Sequence, residues 1–239
     1  MHGVILAGGL GTRMGMYTKR IGNKHLMPIY DRLMIEFPIS TLVKSGVKNI
    51  TIVTGNRYSG QFVDLLGNGK EWGLDSINYA YQFGEGGIAD ALRCAYNSVP
   101  KDEPIMVILG DNLFSESFAS IPQDDKNAQV FLKFVHDPER FGVAELRGTS
   151  ITRIVEKPKN PVGNMAVTGL YIYPYDVFSK ISSLSPSDRG ELEVTDLNNM
   201  YLAEGRLEWW EVTGKWHDAG TPDSLLECSK LVKEGVFKI

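Results

Sequence analysis

Four glycines surround a single arginine in the segment LAGGLGTRMG, at residues 6–15, directly after a short apolar run. Glycine has no Cβ, so the backbone N–H groups of such a loop can approach an anion closely. Two fixed positive charges, on Arg13 and on Lys24 in the segment NKHLMP, would suit a triphosphate. A tight turn whose basic side chains are solvated explains the same letters. The segment therefore predicts either a phosphate-binding loop or an ordinary turn.

Two common phosphate-binding fingerprints are excluded by the letters themselves. A Walker A loop requires G-x-x-x-x-G-K-[ST], and no Lys-Ser or Lys-Thr follows Gly11 or Gly15. The dinucleotide fingerprint G-x-G-x-x-G fails because Met14 stands in place of its last glycine. The second predicted strand also ends in Thr54-Gly55, without the acid that would bind a ribose. An oxidoreductase that uses a dinucleotide is therefore a distant alternative.

The composition is that of an ordinary globular chain. Its 239 residues are 43% hydrophobic and 23% charged, which favours a single domain. A formal net charge of −4 argues against a general nucleic-acid binder. No segment approaches the roughly 18 apolar residues of a membrane span, and no signal peptide is apparent, so we expect a cytoplasmic protein with no membrane partner. Cys94 and Cys228 are expected to be buried thiols rather than a disulfide or a metal site.

The first 111 residues alternate between strand and helix patterns. Predicted strands cover residues 3–8, 49–55, 77–82 and 105–111, and predicted helices cover 34–46 and 88–99. Residues 3–8 and 105–111 are apolar runs without polar alternation, which suit parallel strands covered on both faces. This half predicts a doubly wound sheet, in which ligands bind at the carboxyl ends of the strands.

The second half shows a different pattern. Strand-like runs separated by short polar turns indicate a meander, at residues 128–135, 141–146, 150–158 and 166–173. A helix, a second helix, a strand and a last helix follow at 176–184, 191–205, 207–214 and 221–235. Thr221 is the predicted N-cap of the last helix, with Pro222 at its first position. No linker separates the halves, so we expect them to share one sheet.

Several segments together carry a family resemblance. GVILAGGLGTR (3–13) with NKHLMPIYD (23–31) resembles the signature of the sugar-1-phosphate nucleotidylyltransferases. The remaining segments follow in the order of the branch that uses dTTP and glucose 1-phosphate: GDNLF (110–114), DPERFGVAEL (137–146), EKPKNP (156–161), AVTGLYIY (166–173), RGELEVTDLNNMYL (189–202) and WHDAGTPDSL (216–225). In this family a sugar-phosphate oxygen attacks the α-phosphorus of a nucleoside triphosphate and expels pyrophosphate.

The resemblance also implies an architecture. It implies a three-layer α/β/α fold with a doubly wound, mixed and mainly parallel sheet, the Rossmann-like nucleotidyltransferase fold, and an added antiparallel sugar-binding region. Residues 1–239 would form a single domain. Its nucleotide-binding half would be residues 1–111, and its sugar-phosphate-binding half residues 112–239.

The resemblance assigns site residues on both halves. Arg13, Lys24 and Lys157 would be catalytic, by neutralising pyrophosphate, aligning the phosphates and holding the sugar phosphate. Nucleotide-binding residues would be Leu6, Gly8, Gly9, Gly11, Thr12, Arg13, Gln82, Gly87 and Asp111. Sugar-phosphate-binding residues would be Gly142, Glu156, Lys157, Val167, Thr168, Gly169 and Tyr171. Asp111 and Asp218 would hold Mg²⁺, which binds one or two carboxylates together with phosphate oxygens. The tryptophans are predicted to pack in the core: Trp209, Trp210 and Trp216.

Three features depart from the family pattern. The proline that usually follows the G-T-R segment is missing after Arg13. The connection to Lys24 is one residue longer than expected, so Lys24 is either displaced or preceded by a bulge, and Lys19 and Arg20 could supply phosphate contacts there. The chain ends at Ile239, so we do not expect the regulatory nucleotide site, or the tetramer, of family members with added C-terminal helices.

Three alternatives stay open at this point. A single Gln82 amide does not separate thymine from uracil, so the nucleoside triphosphate that reacts with glucose 1-phosphate is either dTTP or UTP. A sugar 1-phosphate other than glucose 1-phosphate is a further alternative. A non-catalytic homologue that binds nucleotide sugars would also fit the altered loop. Assembly into a homo-oligomer is undetermined.

Overall fold

A computed structural model describes residues 1–9, 11–16, 18, 22–55 and 58–239. The strands are β1 (His2–Ala7), β2 (Pro28–Ile29), β3 (Arg32–Leu33), β4 (Asn49–Gly55), β5 (Ser76–Gln82), β6 (Ile105–Leu109), β7 (Asn112–Phe114), β8 (Ala128–Phe134), β9 (Gly142–Arg147), β10 (Ser150–Glu156), β11 (Met165–Tyr173), β12 (Leu207–Glu211) and β13 (Trp216–Asp218). The helices are α1 (Glu36–Lys44), α2 (Ser59–Leu66), α3 (Ile88–Arg93), α4 (Val177–Ser183), α5 (Val194–Ala203) and α6 (Pro222–Lys233).

The main sheet is doubly wound. Its central strands lie in the order β6-β1-β4-β5, and all of these neighbours are parallel. Along the chain, β4 and β5 are therefore added on one side of β1, and β6 is then added on its other side. Loops at the carboxyl ends of β1 and β6 separate at this reversal and leave a crevice between them. The predicted fold class is confirmed, and the crevice is where the glycine segment and Asp111 meet.

The second half joins the same sheet, as predicted, although the meander prediction is wrong in its pairing. Only β9 and β10 are consecutive antiparallel neighbours, whereas β11 pairs with β8, β9 and β6. β12 is parallel to β8. The reason is the length of β11, which leaves β9 after Ala166 and joins β6 at Leu170. Val167, Thr168 and Gly169 thus span a gap between two neighbouring strands.

Two apolar cores cover the two faces of the sheet. Alternate side chains of β1 enter different cores, with Val4 and Leu6 on one face and Ile5 and Ala7 on the other. The first face packs against α3, α4 and α5, and the second against α1 and α2. Burial of continuous apolar strands between two layers of helices explains why these runs do not alternate with polar residues.

The N-terminus of α6 carries a reciprocal cap. The Thr221 hydroxyl accepts a hydrogen bond from the Ser224 backbone N–H at 3.2 Å, and the Ser224 hydroxyl accepts one from Thr221 N at 3.0 Å. Thr221→Ala is expected to lower the free energy of unfolding by about 1 kcal/mol, because a helix N–H loses its partner. Urea denaturation measures this. Ser229→Ala, in the middle of the same helix, is the control and should change stability by under about 0.5 kcal/mol. An equal loss in both variants would contradict the assignment.

Both cysteines are free thiols, as predicted. Cys228 is buried, and burial raises the pKa of its thiol to about 12. Cys94, directly after the end of α3, is only half-buried, so the prediction of a buried thiol is wrong for this residue. In the part of the chain that the structure describes, the helices are too short or too polar to cross a membrane.

Candidate active site

Two cavities adjoin at the carboxyl ends of β1 and β6. The loop cavity is lined by Leu6, Gly8, Gly9, Gly11, Thr12, Arg13, Lys24, His25, Gln82, Glu85, Gly87, Ile88, Ala91, Leu109, Asp111 and Glu191. The strand cavity is lined by Arg13, Ile88, Leu109, Asp111, Asn112, Arg140, Phe141, Gly142, Glu156, Lys157, Val167, Thr168, Gly169, Tyr171, Val194, Thr195, Trp216 and Asp218. Arg13, Ile88, Leu109 and Asp111 line both cavities, so the charged groups where the two spaces meet are an arginine and a carboxylate. Every residue that the sequence placed in the site lines one cavity or both.

Asp111 follows β6 and lies deep in the crevice. Its Oδ2 contacts Lys24 Nζ at 2.5 Å, and its Oδ1 accepts from Asn112 Nδ2 at 3.0 Å. Both partners of the ion pair are about nine-tenths buried. Burial is the largest single influence and raises the pKa of Asp111, but the Lys24 charge, His25 and the hydrogen bonds from Lys24 and Asn112 together hold that pKa below its usual range. Asp111 is therefore a buried anion that already has a counter-charge.

Asp218 reaches the same point from the second half of the chain. β13 pairs with β7 so that Asp218 lies opposite Asn112, and the Ala219 N–H donates to the Asp111 carbonyl at 2.9 Å. Burial raises the pKa of Asp218, and the neighbouring charge of Asp111 raises it further. Arg13 and Arg140 each place a guanidinium nitrogen 3.8 Å from Asp218 Oδ2. Two carboxylates and three basic groups thus share one small volume.

The glycine segment brings Lys24 to Asp111. Gly11 has a φ of 64°, and a Cβ at this position would lie 2.8 Å from Thr18 Cγ2 and 3.3 Å from Lys24 Cβ. Only glycine combines this left-handed backbone with such close packing. Lys24 thus lies in the crevice, with its ammonium group against Asp111. Lys19 and Arg20, the additional phosphate contacts considered from the sequence, lie outside the described residues.

The gap between β9 and β6 forms the wall of the strand cavity. The Gly169 N–H donates to Asn112 Oδ1 at 3.1 Å, and a Cβ at Gly169 would lie 2.6 Å from that oxygen. The Thr168 hydroxyl is buried and has no hydrogen-bond partner among the described residues. A buried unpaired hydroxyl costs free energy, and a bound ligand could remove that cost. β11 therefore carries polar groups where its pairing changes from β9 to β6.

Glu156 and Lys157 are fixed at the end of β10. Glu156 Oε2 accepts from the Thr195 hydroxyl at 2.6 Å, and its Oε1 lies 3.2 Å from Lys157 Nζ. Lys157 has a φ of 41°, in the left-handed region that non-glycine residues seldom adopt. Its N–H donates to the Phe141 carbonyl at 3.0 Å, which holds this conformation. Local strain of this kind is typical of residues whose side chains must point in one direction.

The chain is similar to known proteins over nearly its whole length. A family model described as nucleotidyl transferase matches residues 2–235. The chain belongs to the nucleotidyl transferase family. A protein from Xanthomonas campestris named glucose-1-phosphate thymidylyltransferase is 40% identical, covering 97% of this chain and 80% of that protein. A Neisseria meningitidis protein of the same name is 38% identical, covering 98% of this chain and 83% of that protein.

Solved structures support the same conclusion for this nucleotidyltransferase. A crystal structure from Bacillus anthracis, provisionally described as a glucose-1-phosphate thymidylyltransferase in complex with sucrose, has a TM-score of 0.91 and 44% identity. It covers 98% of this chain and 96% of that chain. A UDP-glucose pyrophosphorylase complexed with UDP-glucose has a TM-score of 0.84 at 24% identity, which supports the fold alone. The predictions of family and of an enzyme are confirmed.

Sequence reasoning missed several residues that line the two cavities. Trp216 was predicted to be a packing residue, yet it also lines the strand cavity and donates through Nε1 to Asn112 Oδ1 at 2.6 Å. Its place two residues before Asp218 was the available signal. Arg140 was missed because its contact with Asp218 depends on how two distant segments pack. The other missed residues are His25, Glu85, Ile88, Ala91, Leu109, Asn112, Phe141, Glu191, Val194 and Thr195.

His25 gives this nucleotidyltransferase a dependence of stability on pH. Burial, with the neighbouring Lys24 charge, lowers the pKa of His25 from 6.5 to about 3. Below about pH 6.5 the unfolded chain therefore binds a proton at His25, whereas the folded chain binds it only near pH 3. The free energy of unfolding therefore decreases as the pH falls through this range. The expected contribution is up to about 1.4 kcal/mol per pH unit between pH 6 and 4.

Urea denaturation at several pH values tests the contribution of His25. His25→Gln should reduce the acid slope, whereas His136→Gln, at an exposed position, should leave it unchanged. An unchanged slope in the His25 variant would assign the acid sensitivity to other groups.

Proposed function

We propose that the chain transfers a thymidylyl group from dTTP to glucose 1-phosphate, giving dTDP-glucose and pyrophosphate, with Mg²⁺ held by Asp111 and Asp218. The observation that carries this proposal is the meeting of two cavities at Arg13 and Asp111. Residues 1–111 supply the loop cavity except for Glu191, and residues 112–239 supply most of the strand cavity. This division supports a nucleotide-binding half and a sugar-phosphate-binding half. The names of the relatives above are consistent with both substrates.

In the loop cavity, backbone N–H groups and two cations would bind the triphosphate. The glycine segment supplies the backbone through Gly8, Gly9, Gly11 and Thr12, and Lys24 and Arg13 supply the charge. Gln82 and Gly87 would bind the base, beside Leu6. Gly8 leaves room for this arrangement, because a Cβ there would lie 2.6 Å from Gln82 Oε1.

In the strand cavity, the polar wall would bind the sugar phosphate. Glu156 would accept hydrogen bonds from sugar hydroxyls, with one oxygen already fixed by Thr195. Lys157 would neutralise the sugar phosphate. The Thr168 hydroxyl would gain the partner that it lacks, and the rest of the wall would come from Gly142, Val167, Gly169 and Tyr171.

The two carboxylates fit a magnesium ion. Asp218 lies opposite Asn112 in the pair of β13 and β7, Asp111 directly precedes Asn112, and the charge of Asp111 raises the pKa of Asp218, as expected for groups that share a site. In the described residues no group of three or more His, Cys, Asp and Glu is placed to hold a metal. Magnesium, unlike structural zinc, accepts two carboxylates when phosphates and water complete its shell. When bound it would neutralise phosphate charge near the α-phosphorus.

The protein's own residues would then act by position and charge. The sugar-phosphate oxygen that attacks the α-phosphorus is already ionised near neutral pH, so a general base is unnecessary, and buried His25 stays neutral. The bond from the α-phosphorus to the bridging oxygen breaks as the new one forms, and pyrophosphate leaves. Arg13, at the junction of the cavities, would neutralise that leaving group, while Lys24 and Lys157 hold the reacting phosphates in line.

A substrate matrix tests this proposal. Pyrophosphate release is measured with dTTP, UTP, dCTP and ATP against glucose 1-phosphate and two other hexose 1-phosphates, with and without Mg²⁺. We expect turnover with dTTP and glucose 1-phosphate that requires Mg²⁺. Turnover with UTP alone would replace the thymidylyl assignment, and no turnover with any pair would contradict the proposed activity.

A further inference from the structure

The Gln82 side chain ends between two groups that can only accept hydrogen bonds. Its Nε2 lies 3.1 Å from the Gly87 carbonyl oxygen and 3.0 Å from Asp90 Oδ2. A carbonyl and a carboxylate have no proton to give, so the amide N–H₂ must face both of them. The orientation of the amide follows from its neighbours, and Oε1 must point to the other side.

Asp90 is held firmly in this position. It is buried on α3, and its carboxylate is paired with Arg93 one turn later on the same helix. The carboxylate also packs against Gly86, where a Cβ would collide with it. The Arg93 side chain is half exposed, so the pair supplies a counter-charge without closing the pocket. Asp90 itself does not line the loop cavity and acts on it only through Gln82.

One acceptor therefore remains for a ligand. Gln82 lines the loop cavity, and no described residue donates a hydrogen bond to its Oε1, which lies beside Gly8. Thymine and uracil carry a ring N3–H, which can donate to such an oxygen. Cytosine carries a lone pair at N3, which would face the Oε1 lone pairs. A site built to accept from an N–H rejects a ligand that lacks it, because a buried polar group is left unpaired.

We propose that Asp90 is a specificity-determining positioning residue: by fixing the Gln82 amide with its oxygen toward the loop cavity, it selects pyrimidine nucleotides that carry a ring N–H over cytosine nucleotides. This inference rests on the proposed function, since it takes the loop cavity as the nucleotide site. It concerns the residue behind Gln82 and does not separate thymine from uracil.

The test is the preference for dTTP over dCTP, expressed as the ratio of their kcat/KM values with glucose 1-phosphate and Mg²⁺. Asp90→Asn has nearly the same size but can donate to Gln82 as well as accept from it, so the Gly87 carbonyl alone still requires the amide N–H₂ and the reversed amide becomes less unfavourable. We expect the ratio to fall by about tenfold or more in this variant, with the change in KM for the nucleotide rather than in kcat. A purely structural role would slow both nucleotides alike, and an unchanged ratio would overturn the inference.

A modified nucleotide and two further variants sharpen the result. N3-methyl-dTTP lacks the donor, so the wild-type enzyme should use it at least about tenfold less well than dTTP, and Asp90→Asn should narrow that difference. Arg93→Gln keeps the carboxylate and should preserve the dTTP preference. Asp90→Ala serves if the asparagine variant does not fold, and it should also lower the ratio. Equal use of dTTP and N3-methyl-dTTP by the wild type would contradict the proposal.

Dissociation constants for dTTP and dCTP, measured by calorimetry, keep this test separate from turnover. A chain that binds dTTP over dCTP through Asp90 but turns over neither would refute the proposed activity and support the positioning role. A chain that turns over dTTP, with a preference unaffected by position 90, would support the activity and refute the positioning role.

Discussion

Asp111→Asn is expected to lower Mg²⁺-dependent turnover about a thousandfold while the chain stays folded. The asparagine keeps the shape and a hydrogen-bonding oxygen but removes the charge that we propose for the metal. Lys24 loses its closest carboxylate, yet the Asp218 carboxyl group remains nearby. The measurement is pyrophosphate release at saturating substrates over a range of Mg²⁺ concentrations. Circular dichroism and thermal unfolding establish that the variant is folded.

Asp125→Asn is the matched control for Asp111→Asn, because Asp125 is an exposed acid that lines neither cavity. It should retain nearly full activity. Binding of Mn²⁺, followed by electron paramagnetic resonance in the presence of dTTP, gives a second readout and should weaken only in the Asp111 variant. Undiminished turnover or unchanged Mn²⁺ binding in Asp111→Asn would place the metal elsewhere.

Arg13→Gln is expected to reduce kcat about a hundredfold with little effect on stability. Arg13 stands where the two cavities meet, and its guanidinium lies 3.8 Å from Asp218. Its side chain is 55% exposed, so this ion pair contributes at most about 1 kcal/mol to folding. Charge that develops on pyrophosphate in the transition state would lose its neutralising group, which lowers kcat more than it raises KM.

Two further variants are compared with Arg13→Gln, one at the same position and one as a control. Arg13→Lys keeps the charge but not the planar fork, so it should recover part of the rate. Arg147→Gln, at an exposed position at the end of β9, should have no effect. A glutamine variant as active as the wild type would show that the arginine in the glycine loop is only a solvated side chain.

Local signals predicted β1, β4, β5, β6, α1 and α3 in the first half, whereas α2 and the two-residue strands β2 and β3 were not predicted. β1 and β6 are buried on both faces, so most of their residues are apolar, and the end of the β6 run placed Asp111 at the carboxyl edge. The pairing of β11 could not be predicted. This pairing depends on where a long strand leaves β9 and joins β6. The stability of a strand pair depends on side chains from both strands, so the sequence of one segment does not predict its partner.

Part of the candidate site could likewise be predicted from the sequence, and part of it could not. The glycine loop and its basic residues were visible in the sequence, and the family resemblance pointed to Glu156, Lys157 and Asp218. The Gln82–Asp90 contact and the approach of Arg140 to Asp218 were not visible, because each depends on packing between segments. Trp216 was missed because an aromatic residue beside a strand is more often buried than part of a site.

In the proposed reaction, a glucose 1-phosphate oxygen attacks the α-phosphorus of dTTP. The most direct test uses glucose 1-phosphate whose non-bridging phosphate oxygens are labelled with heavy oxygen, together with unlabelled dTTP, the protein and Mg²⁺, followed by mass spectrometry of both products. The proposal predicts that dTDP-glucose keeps all of the label and that pyrophosphate carries none. Label in pyrophosphate, or the absence of a sugar nucleotide, would contradict it.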